Sequence, residues 1–532
     1  MKTWRPLAAG AAICSISTLM ASCASHEPTS LDTDGRVTST AESLVTNCKY
    51  LDQSQYPALP VDVDFDRELV IRDLSVVEDP CRTTWTPASG CASGTIGVWT
   101  FGHLMTEMAG TTPPAQFAAE WLHTFEVNQT INGFSVPARP FARAALIDPW
   151  VVASGCNAGD PIVGTGACDL DLKKAPFRLL AIVNRVDLAG PAYGAENPGE
   201  ARFVFGMLTL TGGSGGKSGS STVGDKAAAA QQVAVAIALE AGIEAGIEPG
   251  IEPGIEPTTE EGSQLAGGSL KGTVILEYRI PQIKKQLEWT QRWHELSSIS
   301  LGDPKFNDKL QVITDLFSLQ GNDSSRPNLG NSIGQVRSNE VAFGGKWELR
   351  QFSLQDVGLG FDGFALQSDT TAQTPDDSQN GATPLDAWMI ANEADILNVD
   401  HVVPTVFLGG VSTEDGVVFG TSAVPPLDPH ARHHFAVQMC NGCHRNELQD
   451  TPFTHIGTRG LGSIAPLSPF LGQDPSPDPS FNGLPASFQT LPDAMFPSVV
   501  REYNEGWRRK CEEARILNGD PDPYTRGNGG VH

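Results

Sequence analysis

The pentapeptide Cys440-Asn441-Gly442-Cys443-His444 constrains its surroundings more than any other stretch of the 532-residue chain. Two thiols three positions apart reach the two vinyl groups of one porphyrin, and the next residue presents an imidazole to the iron, which is the attachment pattern of c-type haem. Ten cysteines and eleven histidines scattered at random would produce it roughly 0.004 times per chain, so it reads as a site rather than a coincidence. The competing reading of the same residues is a disulfide, or a metal site formed by Cys440 and Cys443 with His444.

The other end of the chain speaks to compartment. Lys2 and Arg5 precede an apolar stretch from Leu7 to Met20, too short to cross a bilayer, which reads as an export signal. Met20-Ala21-Ser22-Cys23 resembles the lipobox of bacterial lipoproteins, with Met20 where that pattern usually has leucine. The resemblance implies a lipoprotein signal peptide over residues 1–22 and lipidation of Cys23. With Ala24 rather than aspartate after the cysteine, it implies the outer membrane. Residues 23–45 are polar and aperiodic, as in a disordered tether. No later stretch has the length and apolarity of a spanning helix. The expectation is an extracytoplasmic protein held to the membrane by its lipid anchor.

A formal charge of −26, from 36 basic and 62 acidic side chains, argues against nucleic acid as a partner. With Cys14, Cys23 and the two pentapeptide cysteines set aside six remain, Cys48, Cys81, Cys91, Cys156, Cys168 and Cys511, an even number suited to an oxidising compartment. Short separations favour Cys81 with Cys91 and Cys156 with Cys168, because closing a short loop costs least. Cys48 with Cys511 is then left by elimination.

Residues 46–400 read as a mixed α+β domain whose strand order is beyond reach. Phe177 to Val186, Arg202 to Leu210 and Thr273 to Ile280 are short apolar runs rich in branched and aromatic residues, the pattern of buried strands. Between the last two lies a low-complexity insertion, 211–271, containing the repeat GIEPGIEPGIEP; regular proline every four residues neither continues a helix nor builds a packed repeat. Ile283, Leu287, Trp289, Trp293 and Leu296 recur at helical spacing after Pro281, which suits a first helical turn. Phe306, Leu310, Ile313 and Phe317 form a second stripe. Trp347 to Leu354 reads as a strand and Pro384 to Leu397 as a helix.

Three shorter patterns carry less. Gly330-Asn331-Ser332-Ile333-Gly334 matches the serine-nucleophile turn but lacks a preceding buried strand and a following amphipathic helix. The stretch 212–218 departs from a phosphate-binding loop at Thr211 and reads as linker. His294-Glu295 has no second histidine at zinc-protease spacing.

Residues 425–532 have the length of a small, mostly helical cytochrome c-like domain. A helix from Pro429 to Gln438 leads into the pentapeptide, and Val499 to Leu517 forms a C-terminal helix. This order resembles monohaem cytochrome c, in which one helix carries the attachment site and a terminal helix packs across it. The resemblance implies covalent haem c with His444 as proximal ligand and Met495, in the loop LPDAMFPS, as the distal one. His455 is the rival distal ligand, giving bis-histidine ligation, and an open site is the third option. His430, His433 and His434 are expected to be solvated. With both axial positions filled the iron passes electrons to a redox partner protein and binds no substrate, so an electron carrier is expected rather than a catalyst. The alternative function is a cell-surface binding or structural lipoprotein.

Overall fold

The structure is a computed structural model that describes residues 59–87, 89–188, 198–208, 272–281, 285–344, 347–356, 363–398, 401–413, 427–447, 454–471, 489–493, 498–503 and 505–519. Cys23, Cys48, Met495, the tether, the stretch 212–218 and the insertion 211–271 lie outside these residues.

An eight-stranded antiparallel sheet organises the chain. Its strands are β1 (Val70–Ile71), β2 (Phe177–Arg185), β3 (Glu200–Met207), β4 (Thr273–Arg279), β5 (Ile333–Asn339), β6 (Glu348–Asp356), β7 (Phe364–Asp369) and β8 (Ser412–Thr413). The order runs from β1 through β6 without a crossover, and β7 and β8 both pair with β6 at different points along it. The fold is therefore mixed α and β about one antiparallel sheet.

The expected runs become central strands because both faces are covered, which removes the polar alternation of a half-solvated sheet. One face carries Leu179, Ile182, Phe203, Phe205, Leu276 and Val336, and against it pack α1 (Phe101–Ala109), α2 (Pro114–His123), α3 (Gln286–His294) and α4 (Pro304–Ser318). Helix α4 starts where the Asp303 side chain accepts the Lys305 N–H with Pro304 following, a residue pair suited to a helix start. Its stripe Phe306, Leu310, Ile313 and Phe317 is buried as spaced. The opposite face carries Leu180, Ala181, Val183 and Val204, covered by Phe65, Ile456, Leu471 and Ala514. A register shift between Leu179 and Ala181 lets the consecutive Leu180 and Ala181 both serve this second face, as a β-bulge does.

The described residues within Asn47–His532 form one compact unit, and among them Ile456, Leu471 and Ala514, beyond residue 425, pack on the same sheet. Helix α5 (Thr383–Ala391) is separated from a short helix Glu393–Leu397 by Asn392. The Asn392 side chain donates to the Trp388 carbonyl and so diverts the helical ladder. Helix α6 (Pro429–Val437) matches its expected span, whereas Val499 to Leu517 divides into a strand, Val500–Tyr503, and helix α7 (Glu505–Leu517). The strand exists because it pairs with Gln489–Pro492, a tertiary partner that outweighs local helix preference. Pro281 lies outside α3, which begins at Gln286.

Buried charge joins α7 to the sheet. Arg508 bonds Asp187, just beyond β2, and donates Nε to Glu505 at 2.6 Å, while Arg185 holds both oxygens of Asp187 at 2.9 and 3.0 Å. Burial would raise the Asp187 carboxyl, but Arg185 and Arg508 hold it well below the usual carboxylate range. Glu68 is fully buried beside this network, accepting from the Asp64 N–H at 2.7 Å and lying 2.8 Å from His294 Nδ1. Burial pushes its carboxyl up to about 7 despite those contacts.

Two outcomes follow from these features. Strands β3 and β4 pair down to Gly206 opposite Thr273, and Met207 N–H closes on the Gly272 carbonyl at 3.0 Å. Replacing residues 209–271 with a two- to four-residue Asn-Gly turn is therefore expected to leave the melting temperature within about 3 °C of wild type, since a short turn suits such a hairpin. A folded-state Glu68 value of about 7 against an ordinary 4.5 means the native chain binds the proton more tightly than the unfolded one. Stability thus falls as pH rises from 4.5 to 7. Glu68→Gln is expected to flatten that slope, raising the melting temperature relative to wild type more at pH 8 than at pH 5.

Candidate functional site

Helix α6 delivers the pentapeptide. Asp428 caps it by accepting the His430 N–H at 2.8 Å, and Pro429 opens the first turn. After Val437 the chain continues in a wider turn, in which Cys443 N–H donates to Met439 O at 2.9 Å and Glu447 N–H to Gly442 O at 2.8 Å. Glycine at 442 is a steric requirement, because a Cβ there would stand 1.9 Å from the Ala436 carbonyl oxygen.

Cys440 and Cys443 are fully buried and carry no disulfide. Cys440 packs with Trp347 and Leu349 at the start of β6, and its N–H donates to Thr374 Oγ1 at 3.0 Å. Burial pushes the Cys440 thiol up, against the opposing pull of Arg337. The described cysteines elsewhere are paired. Cys81 bonds Cys91 and Cys156 bonds Cys168, as loop length suggested. Cys511 is also disulfide-bonded; its expected partner, Cys48, is not among the described residues.

His444 is buried, its ring 5.0 Å from that of Trp347 and 4.4 Å from that of His455. His455 Nε2 lies 3.6 Å from Cys443 Sγ, and its Nδ1 lies 3.3 Å from Ser468 Oγ. The segment bearing His455 folds back on itself through Gly457 N–H to Pro466 O at 2.7 Å and Ser468 N–H to His455 O at 2.9 Å. The fold thus brings together Cys443, His444 and one of the two distal candidates; the other, Met495, is not described.

A cavity of about 70 Å³ adjoins the two histidines, between the second sheet face and the C-terminal segment, with Arg202, Arg337 and Arg509 in its wall. Arg202 and Arg337 share Glu277 at 3.4 and 3.6 Å, and together they outweigh the effect of burial and keep that carboxyl below its ordinary value. Burial and the nearby Arg185 pull Arg509 down to about 9. The donor set fits a covalently attached haem: two thiols, an adjacent imidazole, a second imidazole facing the first, and guanidiniums of the sign that propionates require. The room does not fit. A cofactor-sized ligand occupies roughly 300 Å³ or more, and two axial imidazoles cannot hold an iron between them with their ring centres 4.4 Å apart. Seating a macrocycle there requires the His455 segment to part from His444.

His433 and His434, expected in solvent, are buried. His433 Nδ1 lies 2.6 Å from Glu447 Oε1, and His434 Nδ1 lies 3.0 Å from the Leu397 carbonyl. His433, Glu447 and Asp493 are the one group with metal-ligating spacing among the described residues. Arg432 already bonds both carboxylates and His433 stands against them as well, so the group reads as an ion network. Cys440, Cys443 and His444 do not belong to such a group. Ser332 of the serine-nucleophile pattern is fully buried and leads directly into β5, without a strand-to-helix turn. His294 is held by Glu68.

Sequence reasoning passed over Trp347, Thr374, Arg202, Arg337 and Arg509. The signal for Arg202 was present: Glu200 and Arg202 stand two apart inside an otherwise apolar strand, which places both charges on one face. No helix among the described residues is long and apolar enough to cross a membrane. Comparison with family models, with curated proteins and with solved structures finds no match for this chain.

Proposed function

We propose that the chain is an extracytoplasmic, membrane-anchored c-type cytochrome-like protein that binds haem covalently through Cys440 and Cys443 and exchanges electrons with a redox partner protein. The observation that carries this reading is the convergence of His455 on Cys443 and His444. His455 follows His444 by eleven positions, yet the fold brings their rings, tilted by 40°, together beside the Cys443 thiol. In this reading His444 would be the proximal ligand, and the distal one would be His455, once its segment parts from His444, or Met495. When bound, such a haem supplies one-electron redox chemistry and, with both axial positions filled, leaves the iron no position for substrate. The protein's own contribution is to bury both thiols, to pack Trp347 and Phe470 against the two imidazoles, and to bring Arg202, Arg337 and Arg509 into the wall of the adjoining cavity, where they would meet propionates. The lipid anchor at Cys23, with outer-membrane location, belongs to the same reading and rests on the sequence pattern.

The small cavity favours a second reading, a cell-surface binding or structural protein in which the pentapeptide is a packed corner without haem. One experiment separates the two. Chain produced with cytochrome c maturation machinery, purified and denatured, is examined by pyridine haemochrome spectroscopy. Covalent haem is expected in the wild type and none in Cys440→Ser/Cys443→Ser; His455→Ala is expected to retain covalent haem while the Soret band of the native protein, recorded without denaturant or pyridine, is displaced. Colourless wild-type protein overturns the cytochrome reading, and an unchanged native His455→Ala spectrum overturns His455 as the distal ligand alone.

A further inference from the structure

A second cavity, which shares no lining residue with the one beside the two histidines, lies on the side of the sheet covered by α1. It is an open cleft of about 440 Å³, within the range of small-molecule sites. Phe101 and Phe177, stacked with ring centres 3.9 Å apart, lie in its wall together with Trp85 and Trp99. The packing beneath them is close: a Cβ at Gly102 would stand 1.9 Å from the Leu172 carbonyl oxygen, so the residue after Phe101 has room only for glycine.

The cleft's charge runs against that of the chain. Lys173, Arg178 and Arg459 line it together with the carboxylates of Glu78 and Asp79, in a molecule of net charge −26. Asp79 is turned to structural use: it accepts from Arg82 at 3.1 Å, from Asn307 at 2.6 Å and from the Cys81 N–H at 2.8 Å. Arg459 bonds Glu78 and donates to the carbonyls of Leu179 and Val77, which fixes it as part of the wall. Arg178 donates to the Arg459 carbonyl at 3.0 Å. Burial and the neighbouring Arg459 pull its guanidinium down to about 10, so an anion beside it relieves a repulsion already present. Lys173 Nζ stands 5.7 Å from the Trp85 ring centre, holding a second cation over an aromatic face.

We propose that this cleft binds a small organic anion with a flat apolar body, an aryl carboxylate, its ring against Trp85 and Phe177 and its carboxylate toward Arg178 and Lys173. Aromatic walls recognise the ring, and the guanidinium supplies a fork matched to two carboxylate oxygens. The proposal is independent of haem attachment at Cys440 and Cys443.

Titration calorimetry of the purified chain with 2-naphthoate tests it, with 2-naphthalenemethanol as the uncharged counterpart. One saturable site for the acid is expected, with at least tenfold weaker binding of the alcohol. Arg178→Gln and Trp85→Ala are each expected to weaken the acid tenfold or more, and Lys173→Gln about threefold, with the far-ultraviolet circular dichroism of the wild type. Should Arg178→Gln fail to fold, Trp85→Ala in the half-buried wall and Lys173→Gln at the exposed rim decide the matter. Absence of saturable binding, equal affinity for acid and alcohol, or full affinity in folded Trp85→Ala and Lys173→Gln overturns the proposal.

Discussion

Arg508 and Asp187 stand 321 positions apart in sequence, and their buried contact makes the C-terminal segment part of the sheet. An ion pair so enclosed adds little net stability, because desolvation offsets most of its attraction, but breaking one side strands the other and costs about 3–5 kcal/mol. Its value lies in register: with Arg185 on the same carboxylate and Glu505 holding both Arg508 and Arg509, α7 is seated where these five charged groups meet one another. The chain beyond residue 425 is fixed against the second sheet face by this pattern and by the apolar contacts of Ile456, Leu471 and Ala514.

That attachment decides where the pentapeptide sits. An independent small domain would enclose its cofactor with its own helices. Here Cys440 rests on Trp347 and Leu349 at the start of β6, and three arginines, two of them from central strands, approach the two histidines. The larger part of the chain thereby forms one wall of the candidate site. Gly442 shows the same constraint at the scale of a single atom, since the approach of the turn to Ala436 leaves no space for a side chain.

The strands and most of the two aromatic helix stripes were legible because their apolar residues are continuous or regularly spaced, though Leu287 of the first stripe is exposed and Ile283 lies outside the described residues; the two short disulfides were legible because loop closure is cheap at such separations. Three things were not. Strand order depends on partners far apart in sequence, and no local pattern records it. The strand Val500–Tyr503 lies in a stretch of helix-forming residues and is created by its pairing with Gln489–Pro492. The burial of His433 and His434 depends on Glu447 and the Leu397 carbonyl, which no spacing along α6 announces. At the candidate site the donors Cys440, Cys443 and His444 could be read directly, and His455 was one of two choices; the arginines in its wall were hidden inside strands that read as apolar.

Glu513 shows a further property of the network. It is fully buried, receives a 3.3 Å hydrogen bond from Asn184, and faces the acidic Glu68 and Asp187. Burial and those neighbours keep its proton in place well above the usual carboxylate range. In the unfolded chain the same carboxyl ionises near an ordinary value. Forming the native structure at neutrality therefore draws hydrogen ions from solution, and melting gives them back. The heat recorded on melting then includes the buffer's own ionisation enthalpy, and differs between phosphate and Tris even when the protein's own transition is identical.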